Sequence, residues 1–465
     1  MKNTFVKHFL LIGIAILVTF NSQEVCAKII NNTDKNVFQS DSLFSKEIQK
    51  QVNGKDLSSH LYYPKSVLRL YKQNGFTPVW IKPQNGEGPT WQAMLMLDCV
   101  LQFGLSHADY HPKELLYDKL HNILDTPGKI NLDQQARFDI MLTDAIITFM
   151  NNLHYGKLNP DYPARKIDGN VNGRFQADKF LIQALKQTNT MGAIASVQPK
   201  SKEYRDMQRK MHLLEGLYQN DCYETPQAVI RKIAINMERL RWVNIEDSAY
   251  IHINIPSYTL KLRLRDSTYF FRIIAGKPGT PTPTLQSTVG YVTTAPKLKI
   301  PPKMLPGKIL PKVKTDNLHL QNNQLATDNK KDTNIQRSFI DAPGSLAFHF
   351  PNTYNIYIHD IKEQALFMKK ERDLSNGSIG VEHAEKLGTL LLKNDNSESK
   401  IASFHNGMLN HVNKNIALKK PLPIKITYLT CEIKDGEIVT YNDIYSLDKS
   451  LEMKFYNVNQ SLSMK

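Results

Sequence analysis

The spacing of apolar residues changes once along this chain, from three-and-four to two, near residue 242. Ahead of that point, Phe138, Met141, Leu142, Ala145, Ile146, Phe149, Met150 and Leu153 recur at helical spacing. They predict an amphipathic helix over 138–153 with one buried face, and Gly156 follows as its natural end. A second helical stretch is predicted over 202–240, carrying Met207, Met211, Leu214, Leu217, Val229, Ile233 and Met237. Beyond the change, Ile251, Ile253 and Ile255 alternate with His252 and Asn254, and Pro256-Ser257 makes a turn. Leu260, Leu262 and Leu264 then alternate with Lys261, Arg263 and Arg265, so the pair predicts a hairpin with one buried face. Further strands are predicted at 269–275 (ending at Gly276), 345–350 and 356–359, with a helix at 382–392. The last hairpin pairs 424–433 with 438–441 about the Lys434-Asp435-Gly436 turn. The stretch 161–200 shows no period. The fold class is α+β, with a helical N-terminal half and a mainly β C-terminal half.

The ends of the chain are of different character. Lys2 and Lys7 precede an apolar run from Phe9 to Phe20, and Val25-Cys26-Ala27 supplies small residues at a cleavage position. A run of about 12 residues falls short of the roughly 20 that span a bilayer. Residues 1–27 are therefore expected to be a signal peptide for export, removed without leaving a stable membrane span. Residues 28–60 are Asn/Ser/Lys-rich and are expected to be a poorly ordered lead-in. The remaining divisions are a scaffold domain at 61–165, a helical connector at 166–240, a β-rich domain at 241–450 and a tail at 451–465. Within the β-rich domain, 296–334 is Pro/Lys/Asn-rich, with lysines at 297, 299, 303, 308, 312, 314, 330 and 331. A loop of that length inside a domain is usually functional or disordered.

The formal charge is +15, and loss of residues 1–27 (two Lys, one Glu) gives +15 − 2 + 1 = +14. Such a balance favours acidic partners. The basic residues are dispersed and no nucleic-acid-binding signature is present, so nucleic acid is not expected as a partner. Cys99, Cys222 and Cys431 remain after cleavage. Their number is odd and their spacing matches neither a disulfide framework nor a metal site, so they are expected to be buried small apolar residues, with no metal or cofactor.

Several segments together resemble the L,D-transpeptidase family (the YkuD catalytic domain) in its large form, with a helical scaffold ahead of the enzyme. In the N-terminal half the resemblance rests on Leu70-Tyr71, Gly75-Phe76-Thr77-Pro78-Val79-Trp80 and Gly104-Leu105 through Asp109-Tyr110-His111. It continues through Phe138-Asp139, Leu142-Thr143-Asp144-Ala145 and Gly156-Lys157-Leu158-Asn159-Pro160. At the junction it rests on Asn236-Met237-Glu238-Arg239-Leu240-Arg241-Trp242. Beyond it, it rests on Asn254 to Leu260, Gly276-Lys277-Pro278, Thr282-Pro283, Phe350-Pro351-Asn352, Ile356-Tyr357-Ile358-His359-Asp360, Pro421 to Ile424 and Asp443-Ile444-Tyr445. The resemblance implies a protein of peptidoglycan crosslinking. A cysteine attacks a stem-peptide carbonyl, and the acyl group passes to an amine on a neighbouring stem. It also implies a periplasmic or cell-envelope location.

The family signature is Ser-His-Gly-Cys-x-Arg, and this chain has Ser375-Asn376-Gly377-Ser378-Ile379-Gly380. By the resemblance, Ser378 stands at the nucleophile, Asn376 at the motif histidine, Gly380 at the motif arginine, and Gly377 in the motif loop. His359 stands at the base, with Tyr357, Arg372 and Gly380 as substrate-binding positions. Ile361 replaces the threonine often found after the His-Asp pair. A thiolate is accessible near neutral pH, whereas a serine hydroxyl needs a positioned base. Asn376 carries no charge and Gly380 offers no guanidinium. Loss of one transition-state donor typically costs about 10²–10³ in rate. The expectation is a catalytically inactive member that binds peptidoglycan stem peptides or an envelope protein. The alternatives are an acyltransferase or peptidase using Ser378 with His359, and a displaced nucleophile at Cys431.

Overall fold

The structure, a computed structural model, describes residues 42–81, 88–125, 131–169, 174–216, 227–243, 247–299, 339–341 and 344–456. The expected signal peptide, Cys222 and most of the Lys-rich stretch 296–334 lie outside the described residues. The chain divides into two compact units, Met1–Gln198 and Pro199–Lys465.

The first unit is organised on one helix, Leu132–Tyr155. Asn131 caps its start by accepting the Asp133 N–H, and Gly156, at φ 87°, ends it. The expected single apolar face is an underestimate. From Phe138 to Leu153 the helix is buried all round, including Asp139, Thr143, Asp144, Thr148, Asn151 and Asn152. The two carboxylates are tolerated because each is saturated with donors. Asp139 accepts the N–H groups of Val79 (3.0 Å), Trp80 (2.7 Å) and Ile81 (2.8 Å) and the Tyr71 hydroxyl (2.5 Å). Burial still pushes its pKa up against these hydrogen bonds. Asp144 accepts the Tyr62 and Tyr63 N–H groups, each at 2.9 Å, and lies 2.6 Å from His111 Nε2. Asp168 in turn accepts the Lys65 and Ser66 N–H groups at the start of the helix Pro64–Gln73. Tyr71, Val79, Trp80 and His111, all in segments that carry the family resemblance, thus converge on Asp139 and Asp144.

Two expectations for this unit are corrected. Residues 42–53 and Lys55–Ser58 are helical, with Phe44, Ile48, Val52 and Leu57 buried, so that part of the lead-in is packed. The stretch 161–200 contains the helices Ala164–Asp168, Ala177–Ala184 and Thr190–Ala195. None is long enough to display a helical period in the sequence.

Among the described residues the second unit begins with the helices Lys202–Gly216 and Gln227–Arg241 and continues into thirteen strands. These are β1 Tyr250–Asn254, β2 Thr259–Arg263, β3 Thr268–Gly276, β4 Leu285–Thr294, β5 Lys297–Lys299, β6 Phe339–Asp341 and β7 Leu346–His349. They continue as β8 Ile358–His359, β9 Asp373–Ser375, β10 Ile379–Val381, β11 Lys414–Thr427, β12 Cys431–Lys434 and β13 Glu437–Thr440. The main sheet runs β10-β8-β7-β4-β11-β1-β2-β3-β9, and β10 also pairs with β3. That extra pairing closes β10-β8-β7-β4-β11-β1-β2-β3 into a barrel and removes two open sheet edges. Its core takes Ile251, Ile253, Leu260, Leu262, Ile273, Val292, Phe348, Ile358, Ile379 and Ile424, capped by Leu387, Leu391 and Phe404 from the helices Ala384–Asn394 and Ile401–Leu409.

β1 is buried on both faces, not one. Its outer-face His252 lies between Lys261 and Lys425 in register. Glu203 pairs with Lys261, Asp247 with Lys425 at 2.8 Å, and His252 Nε2 meets Thr427 Oγ1 at 2.8 Å. Burial pushes the His252 pKa down to about 4. The expected strand 424–433 is broken after Thr427. There, Asn254 accepts the Leu429 N–H and Asn236 accepts the Thr430 N–H, so side chains take the place of a ladder. β12 and β13 form a separate hairpin. The expected tail begins inside a helix, Asp448–Phe455, with Leu451 and Phe455 buried.

Candidate functional site

The site is a patch on the outer face of β4, β7, β8, β10 and β3. Register alone assembles it. Thr293 pairs with Ala347, Ala347 with His359, His359 with Gly380, and Gly380 with Ile274. These five residues form one transverse row on the face opposite the core residues Phe348, Ile358, Ile379 and Val381. Next to it runs an aromatic row. Tyr291 stacks on His349 at 4.5 Å between centroids, His349 on Tyr357 at 5.9 Å, and Tyr357 lies 5.5 Å from His359. The Ile379 N–H donates to the Tyr357 carbonyl at 3.0 Å, which sets half-buried Ser378 beside Tyr357. The structure therefore brings together Ser378, His359, Tyr357, Gly377 and Gly380.

His359 is 7% exposed, and its Nδ1 lies 2.8 Å from the Asp360 carbonyl oxygen. A carbonyl only accepts, so Nδ1 carries the proton and Nε2 is left as the acceptor. Burial holds the imidazole pKa below its usual value, with Asp360 opposing weakly. His359 is thus a neutral imidazole whose free nitrogen has the form of a base. The Asp360 carboxylate is occupied elsewhere, accepting the Ser345 and Leu346 N–H groups, each at 2.7 Å. The Ser378 hydroxyl makes no hydrogen bond with His359 or any other described residue. Its N–H likewise has no acceptor among the described residues.

The loop before Ser378 is held from below. Gly377 sits at φ +105°, a conformation that excludes most side chains. Its carbonyl accepts from the Thr282 hydroxyl at 2.8 Å, and the same hydroxyl accepts the Gly276 N–H at 2.9 Å. Tyr445 donates to the Gly276 carbonyl at 2.6 Å and accepts the Thr282 N–H at 3.1 Å. Ser375 Oγ donates to the Ser378 carbonyl at 2.5 Å and accepts the Gly377 N–H. Asn376 is exposed at the tip of this loop. Thr282 and Tyr445 lie in segments that carry the resemblance, but nothing in their spacing marks them as loop supports. His349 was equally unmarked, and its only signal is its place two residues after Ala347 on a short strand.

Arg372 has a different engagement from the other candidates. Its guanidinium donates to the carbonyls of Ile273 (3.0 Å), Lys369 (2.9 Å) and Tyr258 (3.1 Å) and lies over the Tyr258 ring. It ties β3 to the approach to β9. Cys431 is buried, and desolvation pushes its thiol up to about 12, which denies it a thiolate near neutral pH. Cys99 departs from the buried role expected for it, because it is exposed just past the helix Pro89–Asp98. A cavity of about 360 Å³, lined by Arg231, Lys232, Asp448 and Glu452, sits between helices and not at His359. Among the described residues no helix is long and apolar enough to cross a membrane.

The chain is thus a closed barrel carrying a buried histidine and a Gly-turned loop, preceded in sequence by a helical unit. The scaffold-domain family matches residues 65–211, and the L,D-transpeptidase catalytic domain family matches residues 248–397. Residues 248–397 belong to the L,D-transpeptidase catalytic domain family. A Haemophilus influenzae protein assigned to the L,D-transpeptidases is 28% identical over 250 residues, covering 49% of this chain and 50% of that protein. The match thus spans half the length of that relative. A solved structure of an Ldtfm–avibactam carbamoyl enzyme is 15% identical, with a TM-score of 0.22, over 40% of this chain and 51% of that one.

Proposed function

We propose that this protein is an exported cell-envelope member of the family that binds peptidoglycan stem peptides, or an envelope protein, without transferring acyl groups. One observation carries the reading. The nucleophile position holds a hydroxyl that makes no hydrogen bond to the base position, while the positions beside it, Asn376 and Gly380, have no charge. A serine without an engaged base has no route to an alkoxide near neutral pH. The formal charge of +14 after loss of residues 1–27 (+15 − 2 + 1) suits an acidic wall polymer.

A second reading, an acyltransferase or peptidase acting through Ser378 and His359, is favoured by the Nδ1-protonated imidazole, which leaves Nε2 as an acceptor. One experiment separates the two. The protein lacking residues 1–27 is incubated with a carbapenem and, separately, with a tetrapeptide stem, and intact mass is recorded. No adduct is expected. A stable acyl adduct mapped to Ser378 would establish the second reading. Co-sedimentation with isolated peptidoglycan sacculi at low and moderate salt tests binding, and failure at both leaves an envelope protein as the partner.

A further inference from the structure

Gly380 is not there for its backbone. The described glycines at positive φ are Gly75, Gly104, Gly156, Gly377 and Gly436, so Gly380 lies in ordinary extended conformation within β10. A glycine inside a strand weakens it unless close approach by a neighbour requires the space. That neighbour is Ile361. A β-carbon at 380 would lie 2.1 Å from Ile361 Cδ1, 2.8 Å from Ile361 Cγ1 and 3.4 Å from Ile274 Cβ. Real β-carbons essentially never approach another atom within 3.0 Å. The Cδ1 is a mobile end, but Cγ1 moves only with χ1, and a β-branched side chain has few χ1 choices. Making room at 380 therefore means swinging the whole Ile361 side chain away from Gly380.

We propose that Ile361 and Gly380 are one steric unit, in which the isoleucine fills the volume of the missing side chain at 380 and seals the position beside His359 with an apolar group. This rests on the non-catalytic reading and deepens it. The site lacks the space for a side chain at 380 as well as the guanidinium itself. Gly380 pairs with His359, and the rest of that row is Ile274, Ala347 and Thr293, none of which is charged. Whatever is held next to His359 along this row meets no cation from it. Reinstating the motif at 376, 378 and 380 would not rebuild a transpeptidase while Ile361 remains.

A double-mutant cycle on the full chain tests the pair. Thermal unfolding of Gly380→Ala, Ile361→Ala and the double variant is compared with the parent chain. Gly380→Ala alone is expected to lower the Tm of the strand-rich unit by roughly 3–10 °C, the effect of overpacking. In the Ile361→Ala background the same change is expected to cost under about 1 °C, within the error of independent sites. Gly380→Arg adds a reading at the site itself, through the His359 imidazole titration by NMR. With Ile361→Ala, the guanidinium enters the row and lowers the His359 midpoint; with Ile361 intact, the midpoint stays where it was. Additive Tm losses, or a lowered His359 midpoint in Gly380→Arg with Ile361 in place, overturn the proposal. An acyl adduct on Ser378 of the parent chain would sink the non-catalytic reading while leaving this cycle unaffected.

Discussion

Thr282 offers a severe test of how the motif loop is held. Its side chain is 2% exposed and serves two backbone groups at once, donating to the Gly377 carbonyl at 2.8 Å and accepting the Gly276 N–H at 2.9 Å. The backbone here is closely packed, since a β-carbon on Gly276 would already lie 2.3 Å from the Thr280 carbonyl oxygen. Thr282→Val keeps the shape and removes only the hydroxyl. Each buried backbone group left unsatisfied costs about 1–3 kcal/mol, so the pair costs about 2–5 kcal/mol after partial relaxation. For a unit of this size that is a Tm drop of roughly 5–15 °C. Thr282→Ser is the control: it keeps the hydroxyl and gives up one methyl, worth about 1 kcal/mol. Differential scanning calorimetry of the three proteins reads the result. If valine and serine variants unfold within about 1 °C of each other, the hydroxyl is not what holds the Gly377 turn and the account of this loop is wrong.

Three further outcomes follow from the same structure. His252, with its pKa pushed down to about 4 by burial between two lysines, stays neutral in the folded chain, whereas it protonates near 6.5 when unfolded. Unfolding then takes up a proton, so stability is full above about pH 6.5 and falls as pH drops toward 4, by on the order of 3 kcal/mol. Urea titrations across that range should show the loss, and His252→Gln should flatten it. Native thiol labelling at pH 8 should modify Cys99 and spare Cys431, whose thiol is pushed up to about 12, with peptide mapping as the check. Asp139→Ala strands three N–H groups and the Tyr71 hydroxyl in the interior of the first unit. A loss of about 3–5 kcal/mol or more is expected, seen as rapid proteolysis of that unit while the second stays resistant.

Much of this architecture was legible because it follows from periodicity. The change of spacing near residue 242 separates helices from strands, and β1, β2 and β3 lie where alternation put them. β4 was not legible, although it sits near the middle of the sheet. Its core residues Val289 and Val292 are three apart, because the register with β11 shifts between Ala417 and Leu422, and that irregularity erases the alternation. The buried polar face of Leu132–Tyr155 was missed for a related reason. Asp139 and Asp144 look solvent-facing until the donors that saturate them arrive from residues some sixty and eighty positions away. At the site, motif resemblance supplied Ser378, His359 and Tyr357, which the structure gathers on one face, and Gly377 in the loop ahead of Ser378. It could not supply Thr282, Tyr445 or His349, whose roles exist only through pairings between strands distant in sequence. Ile361 stood out as a departure, but its contact with position 380 is a fact of volume that no string of letters displays.

Asp360 serves two neighbours at once, through its backbone and its side chain. Its carbonyl fixes which nitrogen of His359 bears the hydrogen, while its carboxylate grips the amides that open β7, and its own N–H returns to the Leu346 carbonyl at 3.2 Å. The imidazole therefore shares a rigid anchor with the first residues of a neighbouring strand. The tautomer of the ring and the position of that strand's entrance thus depend on one residue, and replacing Asp360 would disturb both together.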